Sequence, residues 1–473
     1  MISRFVIIVI STLISRSVCA AISINALTTE MAVNPLGIES LAPRLSWKIN
    51  SDRNNVSQTS YQILVASSPA LLGKGIGDMW DSGVVKTDQS TYVTYSGKVL
   101  SPATRYWWKV RVNTNKGVCD WSEVALFQTG FAGGENSWGA EWIGGEMLGD
   151  IAMEAVPARY FRKSFVVSPS EVKYASLYIV GLGLYEAYIN GHKLGNGVLL
   201  QAPTEYFQSV RYDVHDIGEF LRQGNNTIGV TLGNGRHTPE RMHTMRWFGF
   251  PRLFTRLEIV YVDGSRQRVC SDNTWKMTTC GPIRANSEFD GEIYDARLEM
   301  SGWSEYGFND STWDEAPLTG APGGKLEYQL NPSIKIMDAI TPKSIKETRP
   351  GVFVLDMGQN MVGWLHSKFR GGKPGQEVNI RFAETLNADG TLYTDNLRSA
   401  KPQDTYIFKG TGEESWMPRF TYRGFRYAEI TGLDHVPSAN EFMGMVVHDD
   451  MATTGTFSCS NEVINQIYKN AVW

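Results

Sequence analysis

The sequence predicts an all-β protein of three consecutive β-sandwich domains followed by a short C-terminal helix. Apolar residues recur at every second position in short runs, and the turns between runs are rich in Gly, Asn and Asp. Aromatic residues make up 11% of the chain, with 14 Trp and 20 Tyr. Period two puts alternate side chains on opposite faces of a sheet, and large flat side chains fill the space between two sheets. At 473 residues the chain is too long for one ordinary core, and three domains is the natural number.

Residues 1–20 read as a secretory signal: Arg4, an apolar run over Phe5–Ile14, and Val18-Cys19-Ala20 as a small-residue cleavage site. The expected location is therefore periplasmic or secreted. A lipid anchor on Cys19 ranks second because Arg16-Ser17-Val18 is a poor lipobox. In RYWWKVRV (Arg105–Val112), Tyr106, Trp108, Val110 and Val112 form one face of a half-buried strand. About seven such strands over 22–130 predict a sandwich of the fibronectin type III kind. Gly-rich residues open a linker over 131–157. A jelly roll is expected over 158–320, with Asn190-Gly191 and Asp263-Gly264 as tight hairpin turns. A further β-sandwich follows over 325–445, where Val378, Ile380 and Phe382 alternate. From Ser460, a good N-cap residue, Val463, Ile464, Ile467, Tyr468 and Ala471 share one helical face.

Composition excludes several classes of function. A net charge of −4 without a Lys/Arg cluster argues against nucleic-acid partners, and no apolar run is long enough to span a bilayer. No CxxC, HExxH, GxSxG or complete dinucleotide fingerprint is present. Cys270 and Cys280 flank a stretch that reads as strand–turn–strand, and either a disulfide across the hairpin or two free thiols fits the spacing.

In order along the chain stand NPLGIESLAPRLSWKI (Asn34–Ile49), LGLYEAYINGHKLG (Leu182–Gly195), GPIRANSEFDGEIYDAR (Gly281–Arg297), VLDMGQNMVGW (Val354–Trp364) and FTYRGFRYAEITG (Phe420–Gly432). Together these blocks resemble the bacterial α-L-rhamnosidase family of inverting glycoside hydrolases. The last, GTFSCSNEVINQIYKNAVW (Gly455–Trp473), is similar to the entry of that family's (α/α)6 catalytic barrel, placed at 455–473. The resemblance implies hydrolysis of terminal α-L-rhamnose from glycans or glycosides. A general acid and a general base would sit about 6.5–9.5 Å apart. The family's catalytic carboxylates follow the entry helix, so no catalytic residue is assigned here. This chain alone is expected to be inactive. The alternatives are a non-catalytic sugar-binding protein and a subunit that recruits a separate catalytic chain. No cofactor is required. Calcium is possible in the jelly roll, where some family members carry a calcium-dependent rhamnose-binding module, although the acidic spacing does not match an EF-hand.

The candidate sugar contacts are Arg236, Trp247, Asp290, Glu292, Tyr294, Asp295 and Arg297: carboxylates and guanidinium groups hold hydroxyls, and an aromatic face stacks on sugar C–H groups. Against this stands ordinary structural use, in which the acids cap turns or pair with nearby Arg and Trp247 packs on the sandwich end. Gln201–Val214 departs from the family pattern by lacking a Gly-Trp before Thr204, which puts a sugar contact at that loop in question.

Overall fold

The computed structural model describes residues 22–131, 133–145, 156–238 and 248–473. The expected signal at 1–20 and the candidate Trp247 lie outside the described residues. The chain divides into two compact units, residues 1–132 and 133–473.

The first unit is a two-sheet sandwich. A three-stranded sheet contains Ser23–Thr29, Arg44–Asn50 and Val93–Thr94; the other is built on Gln58–Ala66, Arg105–Thr114 and Ala125–Thr129. The alternation read in RYWWKVRV holds. Tyr106, Trp108, Val110 and Val112 enter the core with Trp47, Ile63 and Phe127. On the opposite face Lys109 and Arg111 lie over the Trp121 ring at 4.7 and 4.9 Å.

The second unit holds a sandwich and a large curved sheet. In the sandwich, one sheet centres on Val172–Leu182 and Arg252–Tyr261, and its partner on Arg159–Val167 and Gly224–Gly233. Between them Phe161, Leu177, Ile179, Ile228, Val230, Leu257 and Ile259 make a continuous apolar core. Both hairpin turns form as read: Asn190 and Gly191 have φ of 50° and 86°, and Gly264 has φ of 86°.

Three expectations change. Part of the stretch read as a linker belongs to the sandwich. Trp138 is fully buried against Tyr178, Tyr212 and Phe254, and Ile143–Gly144 pairs with Arg252-Leu253. Cys270 and Cys280 do not face each other across a hairpin. Arg266–Cys270 pairs in one sheet and Lys276–Thr278 in the other, so the turn between them crosses the sandwich and both thiols are free. Finally, the expected boundary near 320 is interleaved. Ile283–Ser287 and Gly291–Asp295 join the sheet of the following domain, whereas Lys325–Tyr328 pairs back onto Ser209–Asp216.

The large sheet has ten strands, organised by the 19-residue strand Val352–Arg370. Its pairing with Arg423–Thr431 slips between Asp356 and Met361. The DMGQN block is therefore a wide bulge, pinned by the bidentate Asp356–Arg426 pair at 2.8 and 2.9 Å. The last helix, Glu462–Val472, is capped by Asn461 rather than Ser460, because the Asn461 side chain accepts from the N–H groups of Val463 and Ile464. Val463, Ile464, Ile467 and Val472 are exposed, and the Trp473 indole donates to the Asn360 carbonyl at 2.7 Å.

Candidate functional site

Where the sandwich and the large sheet exchange strands, a cleft of about 260 Å³ opens. Its polar lining includes Gln201, Asp213, Arg236, Glu288, Tyr422 and Asp449, and its apolar lining includes Leu199 and Ile334.

One wall follows from strand register. Asp213 stands opposite Ile179 and His215 opposite Leu177, and both partners belong to the sandwich core. Asp213 and His215 thus share the inward face, while Tyr212 turns outward onto Trp138. The Tyr185 hydroxyl donates to Asp213 Oδ2 at 2.7 Å and lies 3.0 Å from His215 Nε2. Burial raises the Asp213 carboxyl to about 6, against the opposing pull of the Tyr185 hydrogen bond. Burial also lowers the His215 imidazole to about 4, so it is neutral at pH 7. An inward-facing acid at the end of a core is costly to hold, and here it borders a cleft.

A second wall is the 197–203 loop. Leu199 has φ of 51°, a backbone region that L-residues occupy at a cost. The loop is held by the Val198 N–H donating to the Ile334 carbonyl and by Gln201, which takes the Gly181 N–H and donates to the Arg211 carbonyl. The rim carries Arg236, whose Nε donates to Glu288 Oε2 at 2.9 Å; the guanidinium is 48% exposed and the carboxylate 10%. Hydrogen bonding to Glu288 raises the Arg236 guanidinium above its usual value. Arg236 and Glu288 cancel, leaving Asp213 and Asp449 as uncancelled acids of the lining. Acceptors beside an apolar wall suit a neutral polyhydroxyl ligand.

Of the sequence candidates, Arg236 lines this cleft, together with Glu288 from the acidic stretch. The other described candidates have structural partners. Asp290 accepts the Lys401 N–H at 2.8 Å. Asp295 caps a short helical turn through the Arg297 N–H and pairs with the Arg297 side chain at 2.9 and 2.8 Å. Tyr294 is buried, stacks on Tyr406 and donates to Glu299. Glu292 is fully buried: Oε2 accepts the N–H groups of Arg419 and Phe420, while Oε1 has no partner. Burial, reinforced by Asp404, raises its carboxyl to about 8, although the Arg419 side chain and the two N–H bonds oppose the shift. Among the described residues no three His, Cys, Asp or Glu side chains converge as a metal group would require.

Sequence reasoning missed Asp213, Gln201, Tyr422 and Asp449. Gln201 and Asp213 do lie in the stretch that departs from the family pattern, which was the available signal.

The sandwich of the first unit, and the sandwich, large sheet and polar cleft of the second, define a multidomain β protein. Residues 24–133 match the Rha78A-like N-terminal immunoglobulin domain, 170–338 the α-L-rhamnosidase N-terminal domain, and 346–448 the bacterial α-L-rhamnosidase concanavalin-like domain. Through these domains, in this order, the chain belongs to the bacterial α-L-rhamnosidases. It is 35% identical to an α-L-rhamnosidase of Formosa agariphila, over 93% of this chain and 49% of the relative. The solved α-L-rhamnosidase of Dictyoglumus thermophilum superposes with a TM-score of 0.88 at 40% identity, covering 95% of this chain and 51% of that one. The Streptomyces avermitilis α-L-rhamnosidase complexed with L-rhamnose gives a TM-score of 0.85 at 27% identity, covering 96% and 60%. The chain spans about half the length of the curated relatives it matches. The first domain, expected to be of the fibronectin type III kind, matches an immunoglobulin family; both are two-sheet sandwiches.

Proposed function

We propose that this chain is the N-terminal β-scaffold portion of an exported α-L-rhamnosidase. It holds a rhamnose-containing glycan in the cleft and supplies no catalytic carboxylate pair of its own. The observation that carries the reading is the collinear match of three rhamnosidase domains over nearly all of this chain and half of its relatives. Of the three acids in the cleft lining, Glu288 is committed to Arg236. Export rests on the pattern of residues 1–20.

In this reading sugar hydroxyls donate to Asp213 and Asp449, Arg236 donates from the rim, and the sugar's apolar face lies against Leu199 and Ile334. Calcium is not needed for this contact set. Incubation of the purified 473-residue chain with an aryl α-L-rhamnoside should release no phenolate; steady turnover would overturn the proposal. A second reading, a subunit that recruits a separate catalytic chain, is favoured by the exposed apolar residues of Glu462–Val472.

A further inference from the structure

At one end of the sandwich, apart from the cleft lining, a buried arginine lies beside a buried histidine. Arg159 is 0% exposed, and its Nη2 donates to the Gly145 carbonyl at 2.9 Å. Its Nε and Nη1 have no hydrogen-bond partner, and the guanidinium sits 5.4 Å from the centre of the Phe250 ring. His237 is also 0% exposed, with Nε2 unpartnered. Between them runs Gly249-Phe250. A Cβ on Gly249 would meet Arg252 Nη2 at 2.6 Å and His237 Cε1 at 3.7 Å, so Arg252 and His237 both flank that glycine.

Arg159 and Arg252, the charged members of this group among the described residues, are both positive. Burial lowers the Arg159 guanidinium to about 10, with no acid among the described residues opposing the shift. Burial, Arg252 and Arg159 together hold His237 near 3, and only the Gly249 backbone acts the other way. A buried cation without a counter-charge among the described residues carries a large desolvation penalty, and the unpartnered Nε–H and Nη1–H, which lie on different edges of the guanidinium, each offer a donor to an oxyanion oxygen. The walls are aromatic. Tyr206 and Phe248 pack on His237 at 5.1 and 6.2 Å between centroids, and Phe248 touches Phe207, which is 47% exposed. Such rings can take the C–H face of a sugar that carries the anion.

We propose that Arg159, with His237 and Arg252 beside it, forms an anion subsite that receives the acidic group of a glycan, a uronate carboxylate or a sulfate ester. The glycan as bearer of the charge rests on the carbohydrate reading above; the oxyanion site itself does not. The test is calorimetry on the full chain with D-glucuronate, glucose 6-sulfate, glucose and inorganic sulfate, for wild type and Arg159→Met. At least one sugar acid should bind wild type about tenfold or more tighter than the variant, and glucose should not bind. Arg159→Met should fold, since an apolar side chain of similar length replaces an uncompensated charge. If it does not, thermal unfolding of wild type decides: the bound sugar acid should raise Tm where the same concentration of glucose does not. Arg159-dependent binding of inorganic sulfate alone would overturn the glycan assignment while leaving the rhamnose cleft untouched. No anion binding, or equal binding by Arg159→Met, would overturn the site.

Discussion

Glu288 and Glu292 lie four residues apart in one acidic stretch and meet opposite environments. Glu288 reaches the cleft rim and pairs with the exposed Arg236. Glu292 points into the core of the large sheet, holds two backbone N–H groups and leaves one oxygen unpartnered. A Gly291–Asp295 strand that alternates faces and joins the neighbouring sheet accounts for the split. Density of polar residues in a sequence therefore marks a place where two sheets are fastened as readily as a ligand site. At the cleft the relation is reversed, since Asp213 sits in an ordinary-looking strand and becomes distinctive only through register.

The scaffold half of this comparison predicts the largest effects. Trp138→Ala should destabilise the protein by about 3–5 kcal/mol in denaturant unfolding, because the ring is fully buried among Tyr178, Tyr212 and Phe254. A loss below about 1 kcal/mol would return Trp138 to the linker.

Glu292 gives a pH signature of the buried seam. Its carboxyl lies near 8 when folded, above the ordinary 4.5, so the folded state holds the proton more tightly. That stability is complete below the unfolded value and is lost as pH rises through about 8. Glu292→Gln keeps an acceptor for Arg419 and Phe420 and cannot ionise. Wild type should lose roughly 4 kcal/mol relative to this variant between acid and pH 8, read from unfolding midpoints across pH. Parallel pH profiles would show that Glu292 is not a buried, proton-holding group.

On the cleft side the stability effects shrink. Arg236→Ala removes a half-exposed ion pair and should cost below about 1 kcal/mol in unfolding, while weakening L-rhamnose binding several-fold. The reverse pattern, a large stability loss with unchanged binding, would move Arg236 from the site to the scaffold.

Much of the fold was legible because period-two patterning and turn chemistry are local. RYWWKVRV, Asn190-Gly191 and Asp263-Gly264 behave as read. What escaped was non-local. The Cys270–Cys280 stretch looks like a hairpin in sequence, but a strand's choice of sheet depends on distant partners. The same holds for Ile283–Asp295 and Lys325–Tyr328, which exchange between neighbouring sheets. The site was legible only at Arg236, because Asp213 and His215 alternate with Val210, Tyr212 and Val214 as solvent-facing residues would. Trp138 covers the other face of that strand and turns the polar side inward.

Calorimetric titration of L-rhamnose into wild type, Asp213→Asn and Glu292→Gln tests the division between ligand cleft and structural seam most directly. The cleft assignment predicts binding to wild type, at least fivefold weaker binding to Asp213→Asn, and an affinity within about twofold of wild type for Glu292→Gln. Unchanged affinity in Asp213→Asn together with loss in Glu292→Gln would contradict it.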